Sequence, residues 1–175
     1  MRKVAPALCL VGLLAGGTLG CIDHEGQLAI FLTSDTATDN QAGAAGAQQV
    51  NVEVTGVAIR DADSGRFLTL SLGAQVYELL GLSGRASLLA LADSLDAGIY
   101  DAVRITFSTA NSSVVNSAGR RNPLAIEPIS ITVPVLSTVV QDVQGAITLT
   151  VDLSASLTLK NNGTWLFRPV LFQNS

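Results

Sequence analysis

Cys21 is the residue of this chain whose type and position most directly name a covalent chemistry. It follows Gly20 at the end of an apolar run, Val4 to Leu19, that begins after Arg2 and Lys3. A basic start, an apolar middle and small residues before a cut site make an export signal. A cysteine at that cut offers its thiol to acylation. Other reactive types are sparse. His24 is the only histidine and lies three residues from Cys21, on a tether. A Ser-His-Asp relay needs an imidazole held by a rigid scaffold, which a tether does not supply. Cys9 leaves with the signal, so no intrachain disulfide and no zinc or copper site is expected.

Carboxylates are the remaining candidates. Asp61-x-Asp63-x-Gly65 resembles the start of a calcium loop but lacks a third acidic position and a later bidentate Glu. The same residues make a hairpin turn, which is the preferred reading. Asp35 and Asp39 are a second oxygen pair for calcium, in a low-complexity stretch. Asp93 and Asp96 invite comparison with the paired acids of glycoside hydrolases, yet they flank the start of a strand, where Asp commonly caps turns. Trp165 and Phe167 share parity and suggest a core face, with an aromatic sugar platform as the alternative. The Thr and Ser residues alternating through 148–158 read as the solvated side of a strand, or as an adhesive, strand-accepting surface. No catalytic residue, metal ligand set or cofactor is expected, and the chain is read as no enzyme.

Gly17-Thr18-Leu19-Gly20 resembles the bacterial lipobox, with Leu one place later than usual. The expectation is a lipoprotein signal peptide over 1–20, lipidation at Cys21, a short tether over 21–26, and one domain over 27–175. An uncleaved membrane anchor and ordinary secretion are the alternatives. At roughly 0.8 kcal/mol per buried methylene, two or three acyl chains would hold the protein on the membrane almost permanently. Ile22 rather than Asp follows Cys21, which resembles export to an outer membrane in hosts that have one. The predicted location is the bacterial cell envelope, at the outer membrane or cell surface. The whole chain carries a formal charge of −4, and loss of Arg2 and Lys3 makes the remainder more acidic. Nucleic acid is therefore a poor partner.

The elements that would position any site are strands. Leu28 to Leu32 is the first, and Ser34 to Gln49 reads as a flexible loop. Val50, Val52 and Val54 alternate, after which Val57 and Ile59 carry the opposite parity. A continuous strand would turn these two outward, so a β-bulge is predicted near Thr55-Gly56. Asp61 to Gly65 turns the chain into Phe67-Leu70. Val76 to Leu80 is a short strand, and Leu88 to Ala92 is ambiguous between a short helical turn and a buried segment. Leu95-x-x-Gly98-x-Tyr100 resembles a tyrosine corner, in which the hydroxyl bonds upstream backbone and fixes a crossover between sheets. Gly98 is expected to allow a tight approach there. Ile129 to Val135 alternates around Pro134, which places that strand at an edge. Ile147 to Leu157 reads as the cleanest strand, and Trp165 to Phe172 as the last, interrupted by Pro169. The expected fold is an all-β, antiparallel β-sandwich with Greek-key, immunoglobulin-like connections, with a barrel as the alternative.

Taken in order, these residues resemble the domain-of-unknown-function 4382 family of exported prokaryotic lipoprotein domains. The likeness rests on Leu32-Thr33, Val50 to Ile59, Tyr77-Glu78-Leu79-Leu80, Leu95 to Arg104, Val151-Asp152-Leu153 and Phe167-Arg168-Pro169-Val170. Ser34-Asp35-Thr36 stands where the family often has Asp-Ala-Pro. The resemblance implies a sandwich and an envelope location and assigns no catalytic residue. The expected activity is that of a non-catalytic binding or structural module, lipid-anchored and partnered by an envelope protein or a glycan. The alternatives are a carbohydrate-binding accessory module, marked by an exposed Trp165 or Tyr77, and last a hydrolase.

Overall fold

The structure, a computed structural model, describes residues 25–35, 46–71 and 73–174. Cys21, His24 and Asp39 lie outside these residues, as do the signal and most of the tether. The chain runs β1 (Glu25–Asp35), β2 (Ala47–Asp61), β3 (Phe67–Ser71), β4 (Gln75–Glu78), β5 (Ser87–Asp96), β6 (Gly98–Asn116), β7 (Arg121–Ile126), β8 (Ser130–Val139), β9 (Gln144–Asp152), α1 (Leu153–Ser156), β10 (Leu157–Leu159), β11 (Trp165–Phe167) and β12 (Leu171–Gln173).

Two sheets form a sandwich. The first has the order β12-β9-β1-β5, and the second β10-β11-β7-β6-β2-β3, with β4 also on β2 and β8 also on β6. Leu28, Ile30 and Leu32 of β1 and Ile147, Leu149 and Val151 of β9 meet Val52, Val57, Ile59, Val103 and Ile105 of the other layer in one apolar core. Burial of alternate residues from both layers is what period-two patterning requires. Most pairings are antiparallel. Two are not: β1 lies parallel to β9 and β7 parallel to β11, so both sheets are mixed. Each parallel pair joins an early strand to one that returns after a crossover, which a hairpin cannot do.

The parity change in β2 is a bulge. Val54 faces Phe107 and Gly56 faces Thr106, leaving Thr55 as the extra residue. Val50, Val52, Val54, Val57 and Ile59 are consequently all buried. Asp61 closes the next hairpin: its carbonyl accepts from Gly65 N at 2.9 Å and its Oδ1 from Ser64 N at 2.6 Å. β8 pairs only with β6, so Pro134 does sit on an edge strand. That edge is partly closed by Gln173, whose side-chain amide accepts from Leu136 N at 2.8 Å and donates to Leu136 O at 3.2 Å, as a neighbouring strand would.

Several boundaries differ from the sequence reading, and one left open is settled. Ser34 and Asp35 extend β1, and Ala47 to Gln49 begin β2, which trims the expected loop at both ends. Leu88 to Ala92 is strand, because β1 pairs along it from Leu32–Ser87 to Glu25–Asp96. The strand ends at Glu78, and Leu79 and Leu80 leave it for a 3-10 turn over Leu80–Leu82. The run 147–157 is not one strand. Asp152 accepts from Ala155 N at 2.9 Å and caps the single helical turn α1. This turn carries the chain from the first sheet to the second, so Ala155 is exposed and Ser156 buried, against the alternation. The final run likewise splits into β11 and β12, one in each sheet.

Candidate functional site

The widest departure of β6 from its ladder with β2 follows Asn51. Asn51 faces Ser113 but Glu53 faces Ser108, so residues 109–112 stand out of the sheet as an oversized bulge. The ladder position this vacates is filled by side chains. Ser112 Oγ accepts from Glu53 N at 2.8 Å and donates to Ser108 O at 2.6 Å. Glu53 points away from the core, yet the bulge covers it and leaves it 5% exposed. Its carboxylate accepts from Asn111 Nδ2 at 2.6 Å and from Asn111 N at 3.3 Å. Hydrogen bonds from the Ser108 and Asn111 side chains hold its carboxyl below the ordinary value, against the desolvation that would raise it.

Beside the bulge lies an open groove of about 550 Å³. Val76 and Pro123 give it apolar patches, and Asn51, Asn111 and Arg121 bring amide and guanidinium groups to it. Arg121 is the charged side chain among its lining residues. Ser113 also lines it, and the Ser113 hydroxyl is buried with no hydrogen-bond partner. A buried hydroxyl is normally satisfied. This one marks the place where the scaffold has left a hydrogen bond unmade. The groove offers donors and acceptors to a polar ligand, neutral or anionic, and sets no nucleophile beside a base. Sequence reasoning did not find it. The available signal was the lapse of alternation between Phe107 and Val114, both buried.

The residues singled out from sequence are placed elsewhere. The Tyr100 hydroxyl donates to the Asp96 carbonyl at 3.0 Å, and burial, with Asp61 and Asp96 nearby, pushes its pKa up. This bond ties the start of β6 to the end of β5, across the two sheets. Gly98 is not packed tightly: a Cβ there would meet nothing within 4 Å. The tight approach belongs to Gly26, where a Cβ would lie 2.5 Å from Val140 O and 2.6 Å from Val139 Cγ1. Asp93 and Asp96 both lie on β5 and are exposed. Asp93 borders a second groove with Glu25 and Asp142. Among the described residues no group of three or more His, Cys, Asp or Glu is placed to hold a metal. Trp165 and Tyr77 are 3% and 4% exposed, and Phe167 is buried with them. Neither aromatic presents a face to a sugar, while Phe172 is exposed on the outside of the first sheet.

Several polar residues of the motifs that carry the family resemblance are spent on the scaffold. Glu78 accepts from Val50 N and Leu80 N at 3.1 Å each and from Gly81 N at 2.6 Å. Thr33 Oγ1 donates to Leu82 O at 3.0 Å, and Ser34 Oγ donates to Leu79 O. The Tyr77 hydroxyl donates to Leu88 O at 3.0 Å. Asp152 caps α1, and Ser156 accepts from Arg168 N through its carbonyl and from Val170 N through its Oγ. These bonds lock turns and crossovers.

No curated protein matches the chain, and no solved structure does. Residues 26–169 match the model of a family described as a domain of unknown function, DUF4382. That match spans most of the 175 residues, and the chain belongs to the DUF4382 family.

Proposed function

We propose that this protein is a lipid-anchored lipoprotein of the cell envelope, carrying a non-catalytic β-sandwich that binds a polar ligand or partner in the groove beside residues 109–112. One observation carries the reading. Thr33, Ser34, Tyr77, Glu78 and Asp152 of the family motifs spend their polar groups in turns and crossovers, whereas Ser113 keeps a buried, unpartnered hydroxyl at an open groove lined by Asn51, Asn111 and Arg121. A scaffold held by its motifs leaves recognition to the places where the ladder breaks. The anchor rests on the sequence before β1: an export signal ending at Cys21, four residues from Glu25.

The test takes the full chain from membranes in detergent. Intact mass of the purified protein reads acylation at Cys21, and an unacylated, cleaved form in the membrane fraction refutes the anchor. The same protein is used to capture partners from envelope extract and is applied to a glycan array. Binding that is lost on Asn51→Ala or Arg121→Ala supports the groove. Binding unaffected by both places recognition elsewhere.

A further inference from the structure

Outward residues of the first sheet form apolar rows. Leu28, Ile30 and Leu32 of β1 point into the core, so Ala29 and Phe31 point out, Ala29 covered by its larger neighbours to 3% exposure and Phe31 half-buried. The register sets Ala29 between Leu91 and Ala146, and Phe31 between Leu88 and Thr148. No residue of either row is charged. Leu88 is 46% exposed and Leu91 41%. Phe172, 44% exposed, continues the surface from β12. Monomeric proteins seldom leave such a surface to water without a use for it.

The position of the tether says what covers this face. β1 is an inner strand of this sheet, between β9 and β5. Glu25 is four residue steps beyond Cys21, a span of at most about 14 Å. β1 itself has 11 residues and extends about 35 Å. A lipid on Cys21 would therefore hold one end of β1 at the bilayer and leave the sandwich free to stand on end or lie flat. Standing on end would press Glu25, Asp93 and Asp142, which line one groove at that end, against the headgroups. Anionic lipid repels such a rim. Lying flat brings uncharged apolar rows to the interface instead, where burial of apolar surface is favourable.

We propose that the sandwich lies flat on the lipid surface, with the Leu91–Ala29–Ala146 and Leu88–Phe31–Thr148 rows against the bilayer and the groove of the second sheet turned away from it. This rests on the lipid-anchor reading. It makes the anchor an orienting device as well as a tether.

The experiment uses the full, acylated chain reconstituted in phosphatidylcholine vesicles containing anionic phosphatidylglycerol. With Cys9 removed and Cys21 acylated, one introduced cysteine is the only free thiol. Leu91→Cys, or Leu88→Cys should the first fold poorly, carries a polarity-sensitive fluorophore on the proposed contact face. Ala110→Cys carries it on the bulge of the second sheet. The label on the first sheet should be several-fold less accessible to an aqueous quencher than the label at 110, and it alone should be quenched by brominated lipid. Equal aqueous access at both positions, with acylation confirmed by mass, overturns the flat orientation and leaves the anchor standing. Shielding of position 91 without lipid quenching, accompanied by crosslinked dimers, assigns the face to a second copy and overturns the proposal. An unacylated chain that does not bind vesicles overturns the anchor and this inference together.

Discussion

On the outer surface of β2 and β6, Arg104 sits 3.6 Å over the Phe67 ring, and Arg60 makes a two-point contact with Asp101 at 2.7 and 2.9 Å. Glu53 is covered by the 109–112 bulge. On the outer surface of β1 and β9 the rows from Ala29 to Thr148 hold no charge. Both surfaces belong to long strands over one core, and their ladders differ. β1 and β9 pair from Gln27–Gln144 to Asp35–Asp152 without a shift, although β1 shifts twice against β5, whereas the β2–β6 ladder shifts at four places, Thr55 and 109–112 among them. An unbroken ladder satisfies its own backbone and leaves a smooth surface. A slipped ladder frees backbone groups that side chains must satisfy, and polar residues collect there. The two faces of this sandwich are thus suited to different contacts.

The largest effect is expected where the two layers are seated on one another. Gly26 lies at the start of β1 against the end of β8. A Cβ at 2.5 Å from the Val140 carbonyl meets backbone, which cannot rotate away. Gly26→Ala should cost about 1–3 kcal/mol in denaturant unfolding, the usual scale of overpacking. Gly98→Ala is the control: its Cβ has open space and its φ is not in the left-handed region. It should lie between no change and about 1 kcal/mol of stabilisation, from reduced freedom of the unfolded chain. A loss at Gly98 equal to that at Gly26 would return the tight approach to the tyrosine corner.

A smaller effect separates the slipped ladder from the regular one. The Glu53 carboxyl titrates below its ordinary value of 4.5, chiefly through the Ser108 and Asn111 hydrogen bonds. A depressed carboxyl gives stability that is complete above the unfolded pKa and is lost as pH falls through the lower folded one. Melting temperature should therefore fall on acidification below about 4.5, together with contributions from Asp61, Asp101 and Asp152, which are depressed as well. Glu53→Gln should flatten part of that acid limb. It also turns one acceptor facing Asn111 into a donor, so amides of 109–112 should exchange hydrogen faster while those of β1 and β9 do not change. Equal acceleration in both sheets would erase the distinction between them.

Much of this scaffold could be read before any coordinates. The parity flip from Val54 to Val57 placed the bulge at Thr55, and Leu95-x-x-Gly98-x-Tyr100 placed the hydroxyl that bonds Asp96. Both signals are local, written within a few residues. Local signals failed at Asp152-Leu153, where alternation continues although one capped helical turn moves the chain to the other sheet. Periodicity records which residues are apolar and not which layer they enter. The groove was hidden for a related reason. Glu53 and Asn111 are 58 residues apart, and their meeting depends on the register of β2 against β6. A polar run such as Asn111-Ser112-Ser113 shows nothing of this until that register is known. The apolar outer face was obscured as well, since Leu88 to Leu91 lacks alternation and its partners lie in β1 and β9.

The smallest effect tests the groove most directly. The Ser113 hydroxyl is buried without a partner, and leaving such a group unsatisfied costs about 1–3 kcal/mol. Ser113→Ala replaces it with hydrogen in nearly the same volume. In the free protein this variant should match the parent or gain up to about 1 kcal/mol in unfolding free energy. A variant that gains stability while losing a ligand captured by the parent has the signature of a group held in reserve for binding, because a purely structural hydroxyl would move both quantities downward together. A loss of more than about 1 kcal/mol, the scale of one net hydrogen bond, would mean that the hydroxyl is already satisfied in the free protein. The groove would then keep its shape but lose the unmade bond that singles it out, and the two faces would differ in charge alone.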